Sequence, residues 1–132
     1  PAGNRPLSPE EVRKSKETLL ADREHARQTP GGLICFEYNE ALAEEMTPEA
    51  REKELSDRWT QGGFAFLGSY GDIMATPEAN DIAADFARAQ MRAVIKDPAI
   101  VDILLPDDHP VGVKRLCLDT HYLETFNLPH VD

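Results

Sequence analysis

The sequence is short of the features that mark several large classes of protein. Its 132 residues contain two cysteines, no apolar run long enough to cross a bilayer and no signal-peptide pattern at the start. Cations are scarce as well, with 14 Lys and Arg against 24 Asp and Glu, which gives a net charge of −10. This balance argues against nucleic acid or an anionic membrane as a partner. We expect a single cytoplasmic unit with one hydrophobic core.

Common catalytic and metal-binding motifs are also missing. There is no G-x-G-x-x-G fingerprint, P-loop or G-x-S-x-G elbow. The four histidines do not pair at metal-ligand spacings, so no metal site is predicted: His25, His109, His121 and His130. Cys35 and Cys117 lie far apart among apolar neighbours, which favours two buried thiols over a disulfide or a nucleophile.

Four helix starts are present, and each consists of a capping residue followed by proline. The side-chain oxygen of such a residue accepts a backbone N–H, and proline loses nothing at the first helical position. The capping residues are Ser8, Thr47, Thr76 and Asp97. Glu11 completes a capping box with Ser8. The sequence therefore predicts a mainly α fold, a small helical domain of about four helices with one or two short extended segments.

The predicted helices differ in their apolar faces. The helix from Thr76 to about Lys96 has the best apolar stripe: Ala79, Ile82, Ala83, Phe86, Gln90, Ala93 and Val94, with one polar interruption. The first helix has a thin stripe of Val12, Leu19 and Leu20. We expect this first helix to lean lightly on a neighbouring element and to face water elsewhere, with a second copy of the chain in a homo-oligomer as a further way to cover its apolar surface.

Aromatic residues cluster around the segment FAFLGSYGDI, which we expect to be a buried irregular segment or a short helical turn. Phe64, Phe66 and Tyr70 could line a pocket, and so could Trp59 upstream. Core packing is the favoured use, because bulky aromatic side chains mostly supply buried area.

Lys114 and Arg115 stand together in PVGVKRLCL, a segment in which Val113, Leu116 and Leu118 indicate strand-like structure. Neighbouring residues of a strand point to opposite faces, so one cation should point inward or toward a ligand. A guanidinium keeps its charge and can hold an anion by two parallel hydrogen bonds. The alternative is a pair of solvated or ion-paired cations in an acidic chain.

The stretch KRLCLDTHYLETFN resembles a segment of Baeyer–Villiger monooxygenases, in which a Lys-Arg pair precedes a Tyr-x-Glu-x-Phe-Asn run. RWTQGGFAFLGSYGDI resembles the Trp-x-x-Gly-Gly stretch of the same family. The helix EANDIAADFARAQMRAVIKDP follows in the family's order. The resemblance extends over most of the chain from about Thr29 onward.

This resemblance implies a piece of a larger enzyme. Members of the family bind FAD and NADPH in two dinucleotide-binding domains, with a helical insertion in the NADPH domain. Residues 1–110 would be that insertion, and residues 111–132 the linker or strand that returns to the cofactor domain. The chain would then be an excised part of an α/β flavoenzyme, inactive and without bound cofactor on its own. Its start at Pro1 agrees with excision or with loss of an initiator Met.

The resemblance also assigns roles to the two cations. Arg115 would lie by the flavin and stabilise the negatively charged peroxyflavin, and Lys114 would recognise the 2′-phosphate side of NADPH. The peroxyflavin attacks a ketone to give an ester or lactone, with molecular oxygen as co-substrate. Leu123 and Leu128 replace an aromatic and a basic residue common in the family, which leaves the ketone open. TPGGLICF is similar to relatives that take bulky ketones or steroids.

Two other functions stay open at this point. One is a free-standing acidic helical interaction module, in which the Lys-Arg pair is structural. The other is a relative of flavin-containing monooxygenases that oxygenates nitrogen or sulfur. The sequence upstream of this segment would separate them.

Overall fold

The fold is taken from a computed structural model, and the structure describes residues 5–29, 32, 37–114 and 116–131. The α-helices are α1 (Pro9–Ala26), α2 (Pro48–Gln61), α3 (Pro77–Val94), α4 (Pro98–Leu104) and α5 (Tyr122–Thr125). Short 3₁₀ helices cover Ala43–Glu45 and Gly63–Gly68. The mainly α fold expected from the sequence is confirmed, and the second 3₁₀ helix is the predicted helical turn.

All four predicted helix starts form as expected. Ser8, Thr47, Thr76 and Asp97 each accept a backbone N–H of the following helix, and proline occupies the first turn. At Ser8 the capping box is complete, because the Glu11 carboxylate accepts the Ser8 N–H at 2.7 Å. The caps were predictable because they depend on residues within three positions of each other.

The core lies between α2, the 3₁₀ helix Gly63–Gly68 and the first half of α3. Trp59, Phe66 and Phe86 form its aromatic centre, with Trp59 edge-on to the other two rings at 5.2 and 6.0 Å. Phe66 and Tyr70 are buried, which confirms core packing for them, whereas Phe64 is 40% exposed. The sequence could not separate Phe64 from Phe66, because a 3₁₀ helix has three residues per turn and therefore points residues two positions apart to different sides.

Helix α1 contains no buried residue, which agrees with its thin apolar stripe. Leu19 is 50% exposed and Leu20 is 79% exposed. Ion pairs along its surface support the helix instead, such as Arg13 with Glu10 and Glu17. Exposed pairs of this kind contribute little each.

The buried face of α3 differs from the predicted stripe. Ala79, Ala83 and Phe86 are buried as expected, but Ala93 is exposed. A second buried row runs beside the first: Asn80, Ala84 and Ala87. This second row faces the chain segment that follows α4. The sequence alone does not show that this segment folds back onto α3, so the second row could not be predicted.

The segment after α4 is bonded to α3 at Val111 and, just at the end of that helix, at Asn127, and no β-strand occurs in the described residues between 111 and 131. The strand-like character expected around Val113, Leu116 and Leu118 does not become a strand in the described residues. A strand needs a neighbour that completes its hydrogen bonds. The short helix α5 was not predicted, because the residue before it, His121, has a positive φ of 64° and its side chain makes no capping hydrogen bond.

Across the described ranges, no helix combines the length and the hydropathy that a bilayer crossing requires.

Candidate functional site

The segment that carries Lys114 is attached to α3 through Asn80. This buried side chain donates to the backbone carbonyl oxygens of Ile73 and Val111, each at 2.9 Å. It also accepts the Val111 N–H at 2.9 Å. One amide therefore satisfies both backbone groups of Val111, as a neighbouring strand would. Val111 itself packs against the core.

Gly112 turns the chain away from this attachment. Its φ of +95° lies where residues with a Cβ are strained. A Cβ at this position would also run into the thioether of Met74. The Val113 N–H donates to Pro110 O at 3.4 Å and closes the turn. The glycine that precedes the two cations is therefore required by the local backbone.

Lys114 follows this turn and is exposed. Its ammonium makes no hydrogen bond or ion pair with any other residue that the structure describes. Within the described ranges, Lys114 is therefore not ion-paired, and its exposure agrees with the solvated form of the alternative. Arg115, the other predicted site residue, lies outside the described residues, so both assigned roles remain predictions.

Lys114 lines a groove of about 530 Å³, here called the α3 groove. One wall is formed by the side of α3 that carries Ala84, Ala87, Arg88 and Met91. The opposite wall is formed by residues 109–112, 114 and 116–119, and Trp59 and Leu123 contribute apolar surface. A mostly apolar groove with a cation at its edge suits a ligand that has a flat apolar part and an anionic group.

The other basic side chains that line the α3 groove among the described residues, Arg88 and His109, are already paired. Arg88 donates to Asp85 at 2.7 Å and to the Pro106 carbonyl at 3.4 Å, so it ties α3 to the loop after α4. His109 contacts Asp108 at 2.5 Å. This hydrogen bond is the main cause that lowers the pKa of the Asp108 carboxyl below its usual range, and Lys114 adds a smaller effect. Among the described residues of the groove, Lys114 can therefore bind an incoming anion without first losing an ion pair, whereas Arg88 and His109 cannot.

The far end of the segment is fixed by Asn127. Its amide donates to Val94 O at 2.8 Å and accepts the Lys96 N–H at 2.8 Å, just past the end of α3. Asn80 and Val94 are fourteen residues apart on α3, which corresponds to about 21 Å. The chain from Val111 to Asn127 is therefore held at both ends of α3, and the groove lies between. The Asn of the Tyr-x-Glu-x-Phe-Asn run has a structural role here.

Sequence reasoning missed Asn80 and the structural role of Asn127. A signal for Asn80 was present, because positions 80, 84, 87 and 91 form a helical row whose single polar member among small or apolar residues is Asn80. A polar residue in an apolar row is commonly buried with its hydrogen bonds satisfied. The backbone groups that Asn80 binds could be identified only from the tertiary structure.

Cys117 was expected to be buried, and that expectation is wrong. It is exposed and lines the α3 groove. Apolar neighbours in sequence indicated burial, but this segment lies on the surface of α3 rather than in the core. Cys35 lies outside the described residues. No group of three or more metal-ligating side chains occurs in the part of the chain that the structure describes.

No family model matches the chain. Individual proteins do. It is 33% identical over 99% of its length to an acetone monooxygenase (methyl acetate-forming) of Gordonia sp. strain TY-5. It is 35% identical, again over 99% of its length, to the phenazine N-monooxygenase PhzNO1 of Lysobacter antibioticus. Both alignments cover 24% of the longer protein.

A solved structure gives the same result. The oxidized steroid monooxygenase bound to NADP superposes on the whole chain with a TM-score of 0.89 and 34% identity. The chain covers 25% of that protein. It thus spans about a quarter of the length of its relatives, as the sequence resemblance implied. The chain is also 33% identical over 79% of its length to a Baeyer–Villiger monooxygenase of Pseudooceanicola batsensis, of which it covers 19%. The chain belongs to the Baeyer–Villiger monooxygenase family.

Proposed function

We propose that this chain is one part of an FAD- and NADPH-dependent monooxygenase that converts a ketone to an ester or lactone. The observation that carries the proposal is the likeness over nearly the whole chain to an enzyme named for forming methyl acetate from acetone. Molecular oxygen is the co-substrate in this proposal. The isolated chain is expected to be inactive, and a cytoplasmic location remains a prediction.

Lys114 is proposed to hold the 2′-phosphate of NADPH. Its exposed ammonium at the edge of the α3 groove, unpaired with other described residues, fits this group. An ammonium contacts phosphate as a point charge, and such charge-assisted hydrogen bonds are stronger than neutral ones. NADH lacks this phosphate, so Lys114 would discriminate between the two cofactors.

Arg115 is proposed to place a permanent positive charge beside the flavin. A guanidinium stays protonated at any working pH and can donate two parallel hydrogen bonds. Preorganised charge of this kind is usually a large contribution to catalysis. Flavin, when bound, supplies the activation of molecular oxygen. The division into a helical insertion at residues 1–110 and a linker at residues 111–132 is part of the same proposal.

The test uses the full-length protein with bound FAD, supplied with NADPH, oxygen and either a small ketone or an aromatic N-heterocycle. Ester or lactone formation is the expected result, measured by gas chromatography. Arg115→Ala should abolish ester formation and leave flavin reduction by NADPH in place. Unchanged ester formation in this variant would remove the role assigned to Arg115.

The main competitor is oxygenation of a ring nitrogen, because one relative is a phenazine N-monooxygenase. An N-oxide as the sole product would favour that reaction over ketone oxygenation. The absence of any product, with no flavin bound to the full-length protein, would favour a helical module without catalytic activity.

A further inference from the structure

We infer that Asn80 is a positioning residue for Lys114. It would hold the backbone from which Lys114 reaches the 2′-phosphate of NADPH. The inference rests on the proposed function, and it assigns a part of cofactor selection to a buried side chain of α3 that does not itself line the α3 groove.

The hydrogen bonds of Asn80 are specific to an amide. Two contacts need a donor, because Ile73 and Val111 both present carbonyl oxygens. The third needs an acceptor for the Val111 N–H. A carboxylate supplies only the acceptor, and a hydroxyl supplies only one donor. An amide side chain such as that of Asn80 therefore satisfies all three backbone groups, whereas an apolar core residue would satisfy none of them.

The connection from Asn80 to Lys114 is short. Lys114 lies three positions after Val111, which limits the reach of the intervening backbone to about 10 Å. Gly112 and the turn from Pro110 to Val113 fix the direction of that backbone. Release of the two Val111 backbone groups would remove this constraint on the backbone from which the Lys114 side chain extends. A charge-assisted hydrogen bond to phosphate needs a donor–acceptor distance of about 2.7–2.9 Å, so its strength depends on where that backbone lies.

The remaining part of the segment has its own attachments. Leu116 packs against the core, Leu123 is buried and Asn127 binds the end of α3. Loss of the Asn80 contacts should therefore loosen residues 111–114 while the rest of the segment stays in place. This predicts an effect on Lys114 that is separable from overall stability.

Asn127 provides a matched control. Like Asn80, it uses its amide both as a donor to backbone carbonyl oxygen and as an acceptor for one backbone N–H, with one donor contact where Asn80 has two. Asn80→Asp and Asn127→Asp each keep the acceptor and lose the donors. Both should lower stability, but only the first acts next to Lys114.

The experiment is done on the full-length holoenzyme. Binding of 2′,5′-ADP, which carries the 2′-phosphate, is measured by calorimetry beside binding of 5′-AMP, which lacks it. Asn80→Asp should weaken 2′,5′-ADP by about tenfold and raise the KM for NADPH but not for NADH, with kcat little changed. Asn127→Asp should leave the ratio of the two affinities within about twofold, in a protein whose circular dichroism is unchanged.

A double-mutant cycle makes the test specific. In a Lys114→Ala background, Asn80→Asp should produce no further loss of 2′,5′-ADP affinity, because the residue it positions is gone. Equal losses in both backgrounds, or equal effects of Asn80→Asp and Asn127→Asp, would overturn the positioning role. So would weakened 2′,5′-ADP binding in Lys114→Ala with none in Asn80→Asp.

The outcome for Lys114→Ala alone separates this inference from the proposed function. If Lys114→Ala loses discrimination between 2′,5′-ADP and 5′-AMP while Asn80→Asp keeps it, the role of Lys114 stands and the positioning by Asn80 does not. If Lys114→Ala keeps the discrimination, Lys114 does not bind the 2′-phosphate. Both assignments then fail together.

Discussion

Gly112 faces the thioether of Met74 at the point where the chain turns toward Lys114. The position that a Cβ would take is occupied by Met74, and the φ of Gly112 is +95°. Met74 is 58% exposed, so its side chain could swing away at little cost. The backbone conformation itself is then the larger obstacle to any other residue at position 112.

Gly112→Ala should therefore lower the free energy of unfolding by about 1–3 kcal/mol, the usual cost of a residue held in a sparsely populated conformation. Urea denaturation of the chain measures it. Gly63→Ala is the control, since Gly63 has a φ of +59° and open space around its Cβ position. A Gly112→Ala cost no larger than that of Gly63→Ala would show that the φ of Gly112 and its contact with Met74 carry no extra penalty.

The two phenylalanines of the 3₁₀ helix Gly63–Gly68 should differ sharply. Phe66 is fully buried between Trp59 and Phe86, so Phe66→Ala should cost about 3–5 kcal/mol through lost burial and a cavity. Phe64 is 40% exposed, so Phe64→Ala should cost less than about 1.5 kcal/mol. Denaturation followed by Trp59 fluorescence measures both, and similar costs would contradict the assignment of Phe66 to the core.

Asn127→Ala should free the backbone at the end of α3. The Lys96 N–H loses its acceptor and Val94 O loses a donor, which together should cost about 1–3 kcal/mol. Hydrogen exchange at the Lys96 amide should quicken, while the Val111 amide, bound by Asn80, keeps its protection. Equal loss of protection at both amides would mean that the two ends of the segment are not held independently.

Acid should weaken the start of α1 through Glu11. The hydrogen bond from Arg5, followed by those from Ser8, lowers the pKa of Glu11 from its usual 4.5 to about 2. A carboxylate with a lowered pKa stabilises the folded state above its unfolded pKa, and this contribution is lost as pH falls from about 4.5 to 2. The difference in unfolding midpoint between the wild type and Glu11→Gln should therefore shrink over that range. A difference that stays constant from pH 6 to pH 2 would rule out the ionised Glu11 as its source.

The sequence predicted best where the interactions are local. The caps at Ser8, Thr47, Thr76 and Asp97 each depend on a few neighbouring residues, so the four longest helices could be placed in advance. The family resemblance was also readable, because the Lys-Arg pair and the Trp-x-x-Gly-Gly stretch are contiguous motifs.

Prediction was weakest where one segment meets another. Cys117 lies in an apolar stretch and was expected to be buried, yet it is exposed at the α3 groove. The strand expected around Val113 and Leu118 does not form in the described residues, because strand formation depends on a partner that local sequence does not identify.

By itself, the sequence determined the four longest helices, their starting residues, the largely exposed character of α1 and the family. Only the tertiary structure decided that Asn80 and Asn127 hold the C-terminal segment along α3, and that Lys114 thereby reaches the edge of a groove. The reason is physical. Helix caps and apolar rows are set by residues a few positions apart, whereas the bond between Asn80 and Val111 joins residues 31 positions apart. Such a bond exists only once the core has brought the two together.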